Sequence, residues 1–196
     1  MMQPVTIVTG MGRCGSSLVM AMLAAGGMPV LGNAPDYEDD ACGARDIPAE
    51  LLEANRGRAV KILAAHHHTF PPVMDARIIT LRRDATQQAR SQMKLLWHMN
   101  RGPAPNRAGV RAVATSIVSD EARCDRIWLL TRLPWMALRF EHILAHPLGA
   151  AMQLATFCGL SVDAVPAMAA VVLMRGPECL PDMSIEAAGI VKAQVQ

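Results

Sequence analysis

PVTIVTGMGRCGSSLVMAMLAAGG, residues 4–27, is the stretch whose reading decides the fold. Pro4 to Thr9 is a short β-branched run bounded by Gly10, the pattern of a buried strand. Gly10 to Gly15 is a glycine-rich turn. Ser16 to Ala25 is filled with helix-forming Leu, Met and Ala and is closed by Gly26 and Gly27, a C-terminal stop. Strand, glycine turn and helix in that order open a nucleotide-binding α/β fold.

The turn has the G-x-x-x-x-G spacing of a phosphate loop, from Gly10 to Gly15. Glycines let the backbone wrap tightly, so its N–H groups can converge on an anion. The following helix N-terminus adds partial positive charge, and Ser16 and Ser17 add hydroxyl donors. One departure bears on the class. A nucleotide-triphosphatase loop carries Lys directly after the second glycine, where this chain has Ser16. The cation stands two residues before Gly15 instead, at Arg13, which weakens a kinase or ATPase reading. Taken alone, the loop also fits an ordinary strand-to-helix turn.

Outward from this unit, residues 32–47 are polar and acidic and read as a loop carrying Asp36, Glu38, Asp39 and Asp40. Pro48 to Asn55 predicts a short helix, and Ala59 to Leu63 a second strand. Arg77 to Leu81 predicts a third strand, and Asp84 to Trp97 a helix with Asp84 at its start, where a carboxylate suits the helix dipole. Residues 99–109 are rich in Pro, Gly and Arg and predict a mobile loop. Ala112 to Leu130 reads as helix, Trp135 to Phe140 as a fourth strand, and Pro147 to Cys158 and Val165 to Leu173 as helices. Strands alternating with helices imply one mostly parallel sheet covered on both faces, a three-layer α/β domain spanning 1–196, with no repeat and no linker.

A chain of 196 residues with 52% hydrophobic and 18% charged residues is globular, and its length suits one domain. The net charge of +2 gives no support to nucleic-acid binding. Arginines do cluster at 82–83 and over 101–111, which suits a local patch facing a small anionic ligand. The five cysteines (Cys14, Cys42, Cys124, Cys158, Cys179) are odd in number and form no C-x-x-C pair. That disfavours a disulfide framework or zinc site and implies a reducing, cytoplasmic compartment. The longest apolar stretch, Cys14 to Pro35, is broken by glycines, prolines and Asn33, so no membrane span is expected.

At the loop the chain resembles the sulfotransferase superfamily that uses 3′-phosphoadenosine 5′-phosphosulfate (PAPS), in particular its bacterial branch. The family's 5′-phosphosulfate loop runs Pro, a basic residue, Ser, Gly and two hydroxyl residues. Gly12-Arg13-Cys14-Gly15-Ser16-Ser17 is similar, with Gly12 for Pro and Cys14 for Ser. The family's 3′-phosphate motif is a strand ending in Arg, with a Ser eight residues later in the next helix. Arg83 and Ser91 stand at that spacing in RIITLRRDATQQARSQMKLL. Leu138 to Leu144 with His146-Pro147, Phe157 to Leu160, and Val171 to Arg175 resemble later family segments, so the likeness spans residues 4–176.

The resemblance implies transfer of a sulfuryl group from PAPS to a hydroxyl or amine of a small-molecule or carbohydrate acceptor. PAP is then the product, with no metal, no nucleic acid and a homo-oligomer as an option. It implies Arg13 as the cation on the leaving phosphate, and Lys61 at the position of a family lysine. Leu63 stands where that segment's usual base, a His, would be. Downstream lie His66, His67 and His68. In an extended segment His66 and His68 would share one side, as bases, as a weak metal site, or as a polar loop without a role. The acidic loop, with Asp36, Glu38 and Asp39, is another source of a base or simply a solvated loop. Arg175 could reach the 3′-phosphate, and Trp97, Trp128, Trp135 or Phe140 could stack on adenine, though aromatics are more often core. Two further functions stay open: a non-catalytic binder of PAP or a related nucleotide, which the missing histidine favours, and a P-loop small-molecule kinase. Against the kinase stand Ser16 and the lack of an Asp for magnesium after the third strand.

Overall fold

The computed structural model describes residues 3–172; Leu173, Arg175 and Cys179 lie outside the described residues. The chain runs β1 (Val5–Gly10), α1 (Ser16–Ala25), α2 (Ala49–Ala54), β2 (Ala59–Lys61), β3 (Ala76–Arg82), α3 (Ala85–His98) and α4 (Arg107–Thr131). It continues through β4 (Trp135–Arg139), α5 (Phe140–Ala145), α6 (Pro147–Cys158) and α7 (Val165–Ala170). Among the described residues the strands form one four-stranded sheet in the order β2-β1-β3-β4, every pair parallel.

Alternation along the strands sends side chains into two cores. Val8, Ile79 and Leu81 face one cluster with Val19, Met20 and Leu23 of α1, Leu154 of α6 and Met168 of α7. Val5, Ile7 and Ile78 face the other, with Ala89 and Met93 of α3 and Ile117 and Trp128 of α4. The sheet is thus buried on both faces, as a parallel sheet requires. Ile7, Ile78, Ile79 and Leu154 are fully buried, each contributing on the order of 2 kcal/mol of apolar transfer.

Connections from β1 lead to β2 on one side, and connections from β3 lead to β4 on the other. The crevice beyond the carboxyl ends of β1 and β3 is therefore a topological switch point, where open α/β sheets take their ligands. The turn after β1 and the start of α3 after β3 both open there.

Several boundaries differ from the sequence reading, each for a local reason. The second strand ends at Lys61, because the chain turns through Ala64 at φ +51°. The Pro/Gly/Arg-rich connection is shorter than 99–109: α4 begins at Arg107, where the Asn106 side chain caps it by accepting from the Gly109 N–H at 2.8 Å. Phe140 starts α5 and does not end a strand. The last described helix stops at Ala170. Residues 65–67 form a short 3-10 turn, so the extended segment expected for the histidines is corrected.

Candidate functional site

The phosphate-type turn is shaped by close approach. A Cβ at Gly10 would meet Cys14 Sγ and the Leu81 carbonyl at 2.6 Å, and one at Gly15 would meet Phe140 Cδ2 at 2.5 Å. Gly15 also has φ +100° as the N-cap of α1, a region side chains disfavour. It brings no capping side chain, so the first amides of α1 are left to other acceptors. Arg13 holds φ +67° without being a glycine, a conformation that persists only where the surroundings fix it. One fixing contact is from α3: Arg13 Nε donates to Ser91 Oγ at 3.1 Å.

Arg83 follows β3 and turns to the same place. Its Nη1 donates to the Arg13 carbonyl at 3.4 Å, and its guanidinium lies 4.6 Å from the centre of the Phe140 ring. Its Nε is buried with no partner among the described residues, so the fork keeps donor capacity. The neighbouring Arg82 points to the opposite face and pairs with Asp125 of α4. The structure thus gathers Arg13, Arg83 and Ser91 from two strand–helix units. Asp84 caps α3 through the Gln87 N–H, 2.9 Å away.

Arg13 and Arg83 line one cavity of about 1030 Å³. Its wall includes Gly12, Arg13, Gly15, Ser16 and Ser17, then Arg83, Gln92, Arg101 and Phe140. Its opposite wall is the acidic loop, with Asp36, Glu38, Asp39 and Asp40, together with Lys61, Leu63 and His68. Lys61, only 3% exposed in its side chain, bridges the two walls. Its Nζ lies 3.0 Å from Glu38 Oε1 and 3.2 Å from Ser17 Oγ, and it donates to the Asp36 carbonyl. Buried cations persist when paired and hydrogen-bonded in this way.

Two expected site residues lie off the cavity wall. Cys14 is fully buried behind the loop, its N–H donating to the Met11 carbonyl at 3.1 Å. Burial pushes its thiol up to about 11, against lowering contributions from Ser16 and Lys61. It shapes the turn from the core side and offers the cavity nothing. His66 turns away from the cavity, under α4. Its Nδ1 lies 3.5 Å from Cys124 Sγ, and its Nε2 lies 3.7 Å from Asp120 Oδ1. Burial, aided by His67, lowers its pKa against the pull of Asp120. His68 is the histidine on the cavity wall, but its ring nitrogens already face the carbonyls of Ala44 (2.6 Å) and Leu63 (2.9 Å). Among the aromatics, Phe140 lines the cavity, while Trp128 is fully buried against Phe70. Trp97 and Trp135 are not part of the wall. No His/Cys/Asp/Glu group suited to a metal is found among the described residues. Arg175 lies outside them.

The sequence reading missed Gln88 and Gln92. Gln88 is fully buried and donates to the Met11 and Gly12 carbonyls at 3.0 and 2.9 Å. A polar residue on the face of α3 that carries Ala89 and Met93 was the available signal.

Neither a family model nor a curated protein matches the sequence. Among solved structures, the chain is similar to the crystal structure of the sulfotransferase STF1 from Mycobacterium tuberculosis H37Rv (type1 form). The TM-score is 0.56 at 15% identity, covering 86% of this chain and 71% of that one. At that identity the likeness shows the fold, which is sulfotransferase-like. No helix among the described residues is long and apolar enough to cross a membrane.

Proposed function

We propose that the protein is a PAPS-dependent sulfotransferase acting on a hydroxyl or amine acceptor. The observation that carries this reading is the convergence of Arg13 and Arg83 on one cavity wall at the mouth of the β1–α1 turn, with Ser91 hydrogen-bonded to Arg13. A ligand with phosphate groups at two ends of one nucleoside matches such a donor set. The residues fit it: a glycine turn that a Cβ would obstruct, an uncommitted buried Arg83 Nε, and a cavity roomy enough for a nucleotide beside an acceptor. The sulfotransferase-like fold supports the same reading.

The Gly12–Ser17 turn would hold the 5′-phosphate end, and Arg83 with Ser91 the 3′-phosphate, the guanidinium fork suiting its oxygens. Bound there, PAPS would supply the sulfuryl group. Arg13 and Lys61 would stabilise charge on the departing phosphate oxygen. Glu38 takes the place of His66 in our assignment of the base. It lines the same cavity, and its ion pair with Lys61 holds the carboxylate in place to accept the acceptor's proton.

The test is PAP release from PAPS across a panel of hydroxyl and amine acceptors, in EDTA. Turnover with at least one acceptor, insensitive to EDTA, is the expected outcome. Turnover of ATP that magnesium restores would replace this reading with the kinase. Leu63 at the usual histidine position favours one second reading, a PAP binder without turnover. Tight PAP binding with no release across the panel would select it.

A further inference from the structure

Gln88 lies in the first turns of α3, its side chain fully buried. The site described above gives it no ligand contact. Yet its Nε2 donates to two successive carbonyls of the glycine turn, Met11 O at 3.0 Å and Gly12 O at 2.9 Å. The amide orientation follows from the partners. Were Oε1 placed there, three acceptor oxygens would face one another. In the orientation observed, Oε1 is buried with no partner among the described residues. A buried amide left half-satisfied is a poor stabiliser, so its contribution lies elsewhere.

Peptide planarity says where. In a trans peptide the C=O and N–H point in opposite directions. Pinning the Met11 and Gly12 carbonyls on the core side therefore aims the N–H groups of Gly12 and Arg13 the other way. Gly12 and Arg13 are both on the cavity wall. Released, the Gly12 carbonyl could swing inward and present an oxygen to an anion, whereas Met11 O also accepts from the Cys14 N–H. Gln88 also stands on the helix that carries Ser91, whose hydroxyl accepts from Arg13. One helix thus fixes the turn at its backbone and at its cation.

We infer that Gln88 is a positioning residue. It sets the peptide planes of the turn so that their N–H groups face the 5′-phosphate end of the ligand, and it links that end to the 3′-phosphate end through α3. The ligand part of this inference rests on the proposed nucleotide reading. The pinning of the turn does not.

The experiment uses the full chain and two variants. Gln88→Met keeps the volume and removes the donor; Gln88→Asn keeps the amide and withdraws it by one methylene. Hydrogen exchange is read on the segment 10–17, and affinities are read for PAP and for adenosine 3′-phosphate, which lacks the 5′ group. Exchange in that segment is expected to rise about tenfold in Gln88→Met while the rest of the sheet is unchanged. PAP affinity should fall about tenfold, and that for adenosine 3′-phosphate should stay within about twofold, the loss expected of removing a donor pair. If the wild type binds neither nucleotide but the segment still loosens, the nucleotide reading fails and the pinning stands. Unchanged exchange overturns the inference, as does an equal loss for both nucleotides. Failure of both variants to fold also overturns it, since Gln88 would then belong to the general core.

Discussion

The two walls of the cavity are built in opposite ways. The wall beside β1 and β3 comes from short contiguous pieces: a turn between a strand and a helix, and the first turns of the next strand's helix. Arg13, Arg83 and Ser91 meet because adjacent parallel strands bring their carboxyl ends side by side. The wall beside β2 is assembled from distant pieces. Glu38 and Asp36 come from an irregular loop, Lys61 from a strand end and His68 from the chain after a 3-10 turn. The first wall is held by backbone geometry, the second by one buried lysine.

Replacing the proposed base should break the second wall's chemistry and leave the first untouched. Glu38→Gln is expected to lower turnover about 10²- to 10⁴-fold, the usual worth of a general base, with PAP affinity within about twofold. Steady-state rates and a binding titration check both halves. Equal loss in both would show that the walls are not separable. Gly15→Ala acts on the first wall through shape. Its Cβ would press on Phe140 at 2.5 Å, in a backbone region at φ +100°. A loss of about 3 kcal/mol is expected in a denaturant melt, from strain and overpacking together.

Arg83→Ala removes the fork together with its long contact to the Arg13 carbonyl. PAP affinity should weaken by about 2 kcal/mol, roughly thirtyfold, and Arg83→Lys should restore little, because a point charge cannot replace a planar fork or its stack on Phe140. Calorimetry of the two variants separates those outcomes. The smallest effect is at His66. His66→Gln should leave turnover within about twofold and cost about 1 kcal/mol of stability, since it loses packing and the contacts to Cys124 and Asp120. Its folded pKa is lowered, so below about 6.5, its ordinary value, the unfolded chain binds the proton more readily. Stability should therefore fall as pH drops through that range in the wild type, and fall less in His66→Gln. Melting curves at several pH values read this directly.

How much was legible follows the same division. The β1 turn, Arg83 and Ser91 could be read because spacing along one chain segment fixes them in space. Asp84 as a cap was legible for the same reason. His66 misled because three adjacent histidines look alike in sequence, whereas a 3-10 turn sends one under α4 and leaves another on the cavity wall. Cys14 occupies a motif position, but loop curvature turns its side chain inward. The pairing of Glu38 with Lys61 crosses more than twenty residues and depends on how an irregular loop folds back, which no periodicity records. Gln88 was legible as an anomaly, a buried amide on an apolar helix face, though not as a contact to the turn.

In the proposed reading, the first wall holds a nucleotide by both of its phosphate ends. Calorimetric titration of the wild-type protein with PAP, AMP and ATP–Mg²⁺ tests it most directly. PAP is expected to bind at least about tenfold tighter than AMP, because Arg83 and Ser91 would add charge-assisted hydrogen bonds that AMP cannot make, and ATP–Mg²⁺ is expected to bind more weakly than PAP. PAP binding no tighter than AMP, or a preference for ATP–Mg²⁺, would contradict it.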